Sequence, residues 1–161
     1  MNIKKLVLSC FGIGFSPMAP GTLASLLTLL IFLAIHHFYP AAAVGGAVVV
    51  VMMILASVLC LLFAGQAEKQ YDTKDPGWIV IDEVAGQAIA LLPAAITSGK
   101  VLVYAIAAFV LFRILDILKP PPIREMQQIE GGLGILIDDL VAGIMAGTVI
   151  CIISFLFTFI Q

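Results

Sequence analysis

Acidic side chains recur in three short stretches of the 161-residue sequence: IDEVAG with Asp82 and Glu83, FRILD with Arg113 and Asp116, and GILIDDLVAG with Asp138 and Asp139. Each borders a long apolar run. A charge at the depth of a bilayer is costly, so ionisable residues there are functional candidates by default. The plainer reading makes them interfacial charges hydrated by lipid headgroups. A belt of that kind would favour Lys and Arg, whose long stems reach outward, whereas short Asp side chains dominate here. Five carboxylates packed together would repel, and a bound divalent ion would supply the missing positive charge. All-oxygen donors without a usable His or Cys point to a hard ion, Mg²⁺ ahead of Ca²⁺ or Mn²⁺. Asp82, Glu83, Asp116, Asp138 and Asp139 are therefore the expected metal and catalytic residues. Arg113 and Asp116 are three apart and share a helix face. Asp138 and Asp139 project about 100° apart, so one can ligate while the other orients a water or a neighbouring ligand.

Phosphate-binding parts surround these acids. Arg113, Lys119 and Arg124 can clamp phosphate, Arg through a bidentate fork and Lys as a point charge. Ser16, Thr22 and Ser25 offer hydroxyls. Thr22 follows Pro20-Gly21 and is placed to cap a helix whose start would attract an anion; SPMAPGT also reads as an ordinary helix-start turn. Gly131, Gly132 and Gly134 either present amides to phosphate or form a hinge. No Cys-x5-Arg loop and no DxDx[TV] motif occurs, and the only histidines, His36 and His37, fall at the opposite end of a span. Metal-assisted attack by water on a phosphate ester remains, with a carboxylate positioning or deprotonating the water. The residue types do not decide which carboxylate does so.

These residues need a scaffold. The chain is 62% hydrophobic and 11% charged, with a mean hydropathy of +1.18. Soluble domains are about 45–50% apolar and about 25% charged, so the membrane class is indicated. The net charge of −2 excludes a broadly basic nucleic-acid binder. Apolar runs at 22–38, 41–64, 79–96, 101–118 and 135–160 each approach the length a bilayer needs, and only helices satisfy their backbone there. Pro40, the 97–100 stretch and Pro120 to Pro122 punctuate them. The expected architecture is all-α: one polytopic domain over residues 1–161, with about five helices and short loops. The N-terminal LVLSCFGIGF run is too short to span and reads as an amphipathic or re-entrant segment rather than a cleaved signal. Cys10, Cys60 and Cys151 are expected as buried small hydrophobes.

Alternating five spans puts the loops at 66–78 and 119–134 on one face, together with SPMAPGT. Lys4, Lys5, Lys69, Lys74, Arg113, Lys119 and Arg124 lie on that face and only Lys100 on the other, seven of the eight basic residues against one. The positive-inside rule makes it cytoplasmic. The same alternation brings all three acidic stretches to that level.

GFSPMAPGTLASL, IDEVAGQ, FRILDILKPPPI and GGLGILIDDLVAG, in this order, resemble the phosphatidylglycerophosphatase A family from about Gly14 to Gly147. The resemblance implies a bacterial inner-membrane, Mg²⁺-dependent phosphatase of phospholipid biosynthesis, converting phosphatidylglycerophosphate to phosphatidylglycerol and phosphate. Carried over by motif, the acidic positions are the five named above, and Arg113, Lys119 and Arg124 are the basic ones. Ile81 stands where an aromatic often precedes the acidic pair, and Ala24 where a glycine is common; neither removes a ligand. The competing reading is a small ion or proton transporter subunit with a carboxylate-lined path. Such a path needs polar residues continuing to the far face; the second, fourth and fifth runs offer almost none there, and the third has Gln87 but no charge beyond Glu83.

Overall fold

The computed structural model describes residues 2–97, 99–126 and 128–160. Met1 and Gln161 at the ends of the expected domain, Ser98 in the expected 97–100 break and Gln127 in the 119–134 loop lie outside the described residues. Among the described residues all regular structure is helical. Among the described residues, four helices are long and apolar enough to cross a membrane: α2 (Pro20–Phe38), α3 (Ala42–Tyr71), α5 (Val101–Leu118) and α7 (Gly132–Ile160). A shorter helix, α4 (Ile81–Ile96), lies among them. Helices α1 (Ile3–Leu8) and α6 (Ile123–Met126) are short and peripheral.

Proline and left-handed residues set the boundaries. Helix α2 begins at Pro20 in its first turn, where the missing N–H is not needed. Ala19, with φ 42°, occupies the cap position without a side-chain bond, so the expectation that Thr22 caps this helix is corrected. Ser25 and Thr28 donate back to the carbonyls of Gly21 and Ala24 at 3.0 and 2.9 Å, which satisfies their hydroxyls inside the bundle. Helix α3 runs past the expected end at residue 64 to Tyr71 and stops where Asp72 turns left-handed. At 1.5 Å per residue it is about 45 Å long, so its polar last turns project beyond a hydrocarbon layer of about 30 Å.

Helix α4 departs most from an ordinary span. Its 16 residues cover only about 24 Å, and Ala85, Gln87, Ala88, Ala90, Leu91 and Ala94 are fully buried. It is the axis of the bundle rather than a lipid-facing wall. Small residues let its neighbours close in, as expected where lipid gives helices no hydrophobic reason to associate. A Cβ at Gly86 would lie 2.6 Å from the Phe112 ring and 2.5 Å from the Asp139 carbonyl oxygen, and one at Gly143 would strike the Gly86 carbonyl. Gly147 faces Ile89 and Ala90 one turn further on, so α4 and α7 run in the same direction. Gly45 on α3 meets Ala95 at one end of α4, while Gly132 at the start of α7 meets Cys60 and Gly65. Helix α3 is therefore antiparallel to both. Leu30, Leu55, Leu62, Val103, Val110 and Ile152 point outward.

The N-terminal segment is a short helix docked on the end of α3. Lys4 Nζ donates to Gln66 Oε1 at 2.7 Å, and Val80 N–H donates to the Leu8 carbonyl at 2.9 Å. The Lys5 ammonium sits among the Phe15, Tyr71 and Trp78 rings, 4.9–5.2 Å from their centroids, within cation–π range. Cys10 and Cys60 are buried as expected, but Cys151 is exposed on the outer surface of α7.

Candidate active site

One end of the bundle collects the acids. Helices α4 and α7 both start there and α5 ends there, so Asp82, Glu83, Arg113, Asp116, Lys119, Asp138 and Asp139 line one cavity of about 380 Å³. The expected convergence of three acidic stretches is thus observed. Asp82 and Glu83 occupy the first turn of α4, where free N–H groups and the helix dipole favour negative charge. Helix α5 closes on Lys119, left-handed at φ 44°, which turns its side chain back toward α7.

Two acids are paired with cations. Arg113 Nη1 lies 2.9 Å from Asp116 Oδ2 and donates to the Ser25 hydroxyl at 3.3 Å. Lys119 Nζ donates to Asp138 Oδ2 in a short, charge-assisted bond. Burial opposes the Lys119 charge, but the hydrogen bond and charge of Asp138, with the charges of Asp116 and Asp139, outweigh it and raise the ammonium pKa. Asp116 and Asp139 line the same cavity from α5 and α7. Glu83 packs against the backbone of Gly21, where a Cβ would collide with its carboxylate and stand 3.4 Å from Arg113 Nη1. A side chain in place of the glycine after Pro20 would therefore displace the Glu83 carboxylate.

Among the described residues, several buried polar atoms have no hydrogen-bond partner: Asp82 Oδ1, Glu83 Oε2, Asp138 Oδ1, Arg113 Nε and both amide atoms of Gln87. A buried orphan of this kind costs about 1–3 kcal/mol, more when charged. Three of the orphans are carboxylate oxygens in or beside one cavity, the donor type a hard cation takes. Among the described residues, no three His, Cys, Asp or Glu side chains stand close enough to form a ready-made metal site. The donor chemistry fits a divalent ion; a shared ligand set needs side-chain rotation.

Not every expected residue arrives. The Ser16 hydroxyl is occupied with Met18, donating to its carbonyl at 3.1 Å and accepting its N–H at 3.3 Å. Neither Ser16 nor Thr22 lines the cavity; Ser25, one turn beyond Gly21, is the hydroxyl that meets Arg113. Arg124 lines a neighbouring cavity instead. Asp75 is an addition. Placed by sequence in a polar loop, it lines the acidic cavity. Burial, then the charge of Asp138, pushes its carboxyl pKa up, with Lys119 acting in the opposite sense. Its neighbour Asp72 is exposed, and no periodicity in YDTKDPGW separates the two.

Residues 6–154 match the family described as phosphatidylglycerophosphatase A. A protein of Bacteroides thetaiotaomicron that carries the provisional name phosphatidylinositol-3-phosphatase is 38% identical over 146 residues, 88% of this chain and 87% of its own. The phosphatidylglycerophosphatase A of Escherichia coli is 34% identical over 145 residues, covering 89% and 79%. That of Haemophilus influenzae is 44% identical over 82 residues, about half of each chain. No solved structure matches. With the match running from α1 into the last turns of α7, across every wall of the acidic cavity, the chain belongs to the phosphatidylglycerophosphatase A family and is a phosphatase.

Proposed function

We propose that this membrane protein hydrolyses the terminal phosphomonoester of phosphatidylglycerophosphate, giving phosphatidylglycerol and inorganic phosphate in phospholipid biosynthesis. The observation that carries the reading is the convergence of six carboxylates (the five expected from the sequence and Asp75), Arg113 and Lys119 on one cavity at one end of an apolar bundle. A lipid can present its headgroup there while its chains stay in the bilayer. The alternating helix directions keep the seven basic residues at the site's end, which supports a cytoplasmic face of a bacterial inner membrane. The transporter reading is weaker, because beyond Gln87 the axis of the bundle is alanine and leucine.

Asp82, Glu83, Asp138 and Asp139 are the residues that would hold Mg²⁺, with Asp116 bound to Arg113. When bound, the ion supplies charge stabilisation on phosphoryl oxygens and lowers the pKa of a water. The chain's own cations do related work: Arg113, fixed by Asp116 and Ser25, and Lys119, fixed by Asp138, face the same volume and can balance charge on the phosphate. A carboxylate accepts the attacking water's proton, the water oxygen bonds to phosphorus as the bond from phosphorus to the ester oxygen breaks, and that proton passes to the departing oxygen, which leaves as the headgroup alcohol. The names of the two longest-matching relatives share a motif. Both phosphatidylglycerophosphate and a phosphatidylinositol 3-phosphate carry a monoester and a phosphodiester on the outer carbons of a three-carbon bridge whose middle carbon bears a hydroxyl.

The test is phosphate release from phosphatidylglycerophosphate by detergent-purified protein with saturating Mg²⁺. The wild type releases phosphate, and Asp138→Asn and Asp139→Asn each lose about 100-fold or more. Undiminished turnover in both variants would sink the assignment.

A further inference from the structure

Arg124, expected beside the acids, stands one cavity away, and that cavity has chemistry of its own. It measures about 460 Å³ and is lined by Glu68, Lys74, Asp75 and Arg124, with Gly134 and Ile135 from the start of α7. Asp75 also lines the acidic cavity, so the two spaces meet at one side chain. That wall is held in place: Asp75 N–H donates to Glu68 Oε1 at 2.9 Å. Helix α7 joins the spaces as well, since Gly134 and Ile135 face one and Asp138 and Asp139, one turn later, face the other.

The cations of the two cavities differ in what they are doing. In the acidic cavity Arg113 and Lys119 are both in ion pairs. In the second, Lys74 makes a long 3.4 Å bond to the Gln128 carbonyl, and the Arg124 guanidinium has no ion pair or side-chain hydrogen bond among the described residues. Two cations with spare donors, next to carboxylates that accept hydroxyl hydrogens, suit a group that is both anionic and alcoholic. A headgroup with a monoester at one end of a three-carbon bridge presents such a group at the other.

We infer that the second cavity binds the phosphodiester and bridge hydroxyl of the lipid headgroup, with Arg124 and Lys74 on the diester and Asp75 on the hydroxyl, while the monoester lies among the acids. This rests on the function proposed above and deepens it. Selectivity then comes from reading two phosphates at a fixed separation, not from the glycerol itself. Phosphatidic acid, whose monoester is joined directly to the diacylglycerol, cannot use the second cavity.

The experiment compares kcat/KM for phosphatidylglycerophosphate and phosphatidic acid, each in the same mixed micelles, with the full-length protein. The wild type prefers the diester-bearing lipid at least about tenfold. Arg124→Ala combined with Lys74→Ala reduces that preference about tenfold, mainly through KM, and Arg124→Lys restores part of it. The exposed position of both residues keeps the variants foldable, and an unchanged melting temperature checks this. An equal fall on both lipids, an unchanged ratio, or a wild type indifferent between the lipids would each overturn the subsite. Wild-type turnover of phosphatidic acid with none of phosphatidylglycerophosphate would instead remove the function reading, and the subsite with it.

Discussion

Two helices open the active site with nearly the same sequence, Ile81-Asp82-Glu83 on α4 and Ile137-Asp138-Asp139 on α7, yet the acids meet different surroundings. On α7, Asp138 is paired with Lys119, and Asp139 lines the same cavity as Asp116, which is itself bound to Arg113. On α4, Asp82 and Glu83 make no ion pair among the described residues; each keeps a partnerless oxygen, as Asp138 does with the oxygen that Lys119 leaves free. On the α7 side one acid, Asp138, has a cation of the protein's own; on the α4 side, among the described residues, neither acid does. The α4 side is where a divalent ion has most to offset, and the α7 side is where Arg113 and Lys119 are kept in fixed positions for phosphate.

That division is testable through metal dependence. Asp82→Asn should raise the Mg²⁺ concentration for half-maximal activity by roughly 100-fold, at or above the upper end of what losing an outer partner costs. Asp138→Asn should lower turnover with a smaller shift in the Mg²⁺ midpoint than Asp82→Asn gives, because one of its oxygens is already held by Lys119 and only the other is left for the ion. Mg²⁺ titrations of both variants, read by phosphate release and by thermal shift without substrate, decide the matter. Equal midpoint shifts would erase the distinction between the two helices.

The gross design was readable from residue order. Proline breaks and apolar run lengths located the helices, and alternation alone carried Asp82, Asp116 and Asp138 to one level. What alternation cannot give is the angle about each helix axis. Ser25 rather than Ser16 or Thr22 meets Arg113 because of where the turn beyond Gly21 points. Arg124 lies only a few residues past Lys119, but Pro120 to Pro122 swing it into the next cavity. Helix α4 reads as a span like the others because apolar run length does not separate a lipid-facing wall from a buried axis, where alanine and glycine serve packing. Asp75 was hidden because a short polar loop carries no period by which to choose it over Asp72.

The parallel crossing of the two acidic helices gives a smaller, structural test. Gly86 touches the Asp139 carbonyl and Phe112 more closely than any Cβ allows. Gly86→Ala should therefore force α4 and α7 apart, at about 1–3 kcal/mol in stability. Because the crossing lies one turn from both acid pairs, activity should fall even below the melting transition. Gly46, with its nearest neighbour for a Cβ at 3.8 Å, is the control: Gly46→Ala should cost neither. A Gly86→Ala protein with wild-type melting and activity would mean that the two acid pairs are not held in register by this contact.

The smallest effect probes how complete the compensation on α7 is. Asp75 has its carboxyl pKa raised by burial and then by Asp138, even with Lys119 nearby, so part of the α7 charge still reaches it. Between the ordinary carboxylate value near 4 and the raised native value, the folded protein retains a proton that the unfolded chain has released. Stability consequently falls as pH rises through that window. Asp75→Asn removes this loss, so the variant should melt higher than the wild type near neutral pH, with the gap closing as pH drops below about 4. Repeating the comparison in a Lys119→Met background sharpens it: if Lys119 screens Asp138, its removal should widen the advantage of Asp75→Asn. A gap indifferent to Lys119 would show that burial alone sets the behaviour of Asp75, and that the α7 acids are already neutral toward their surroundings.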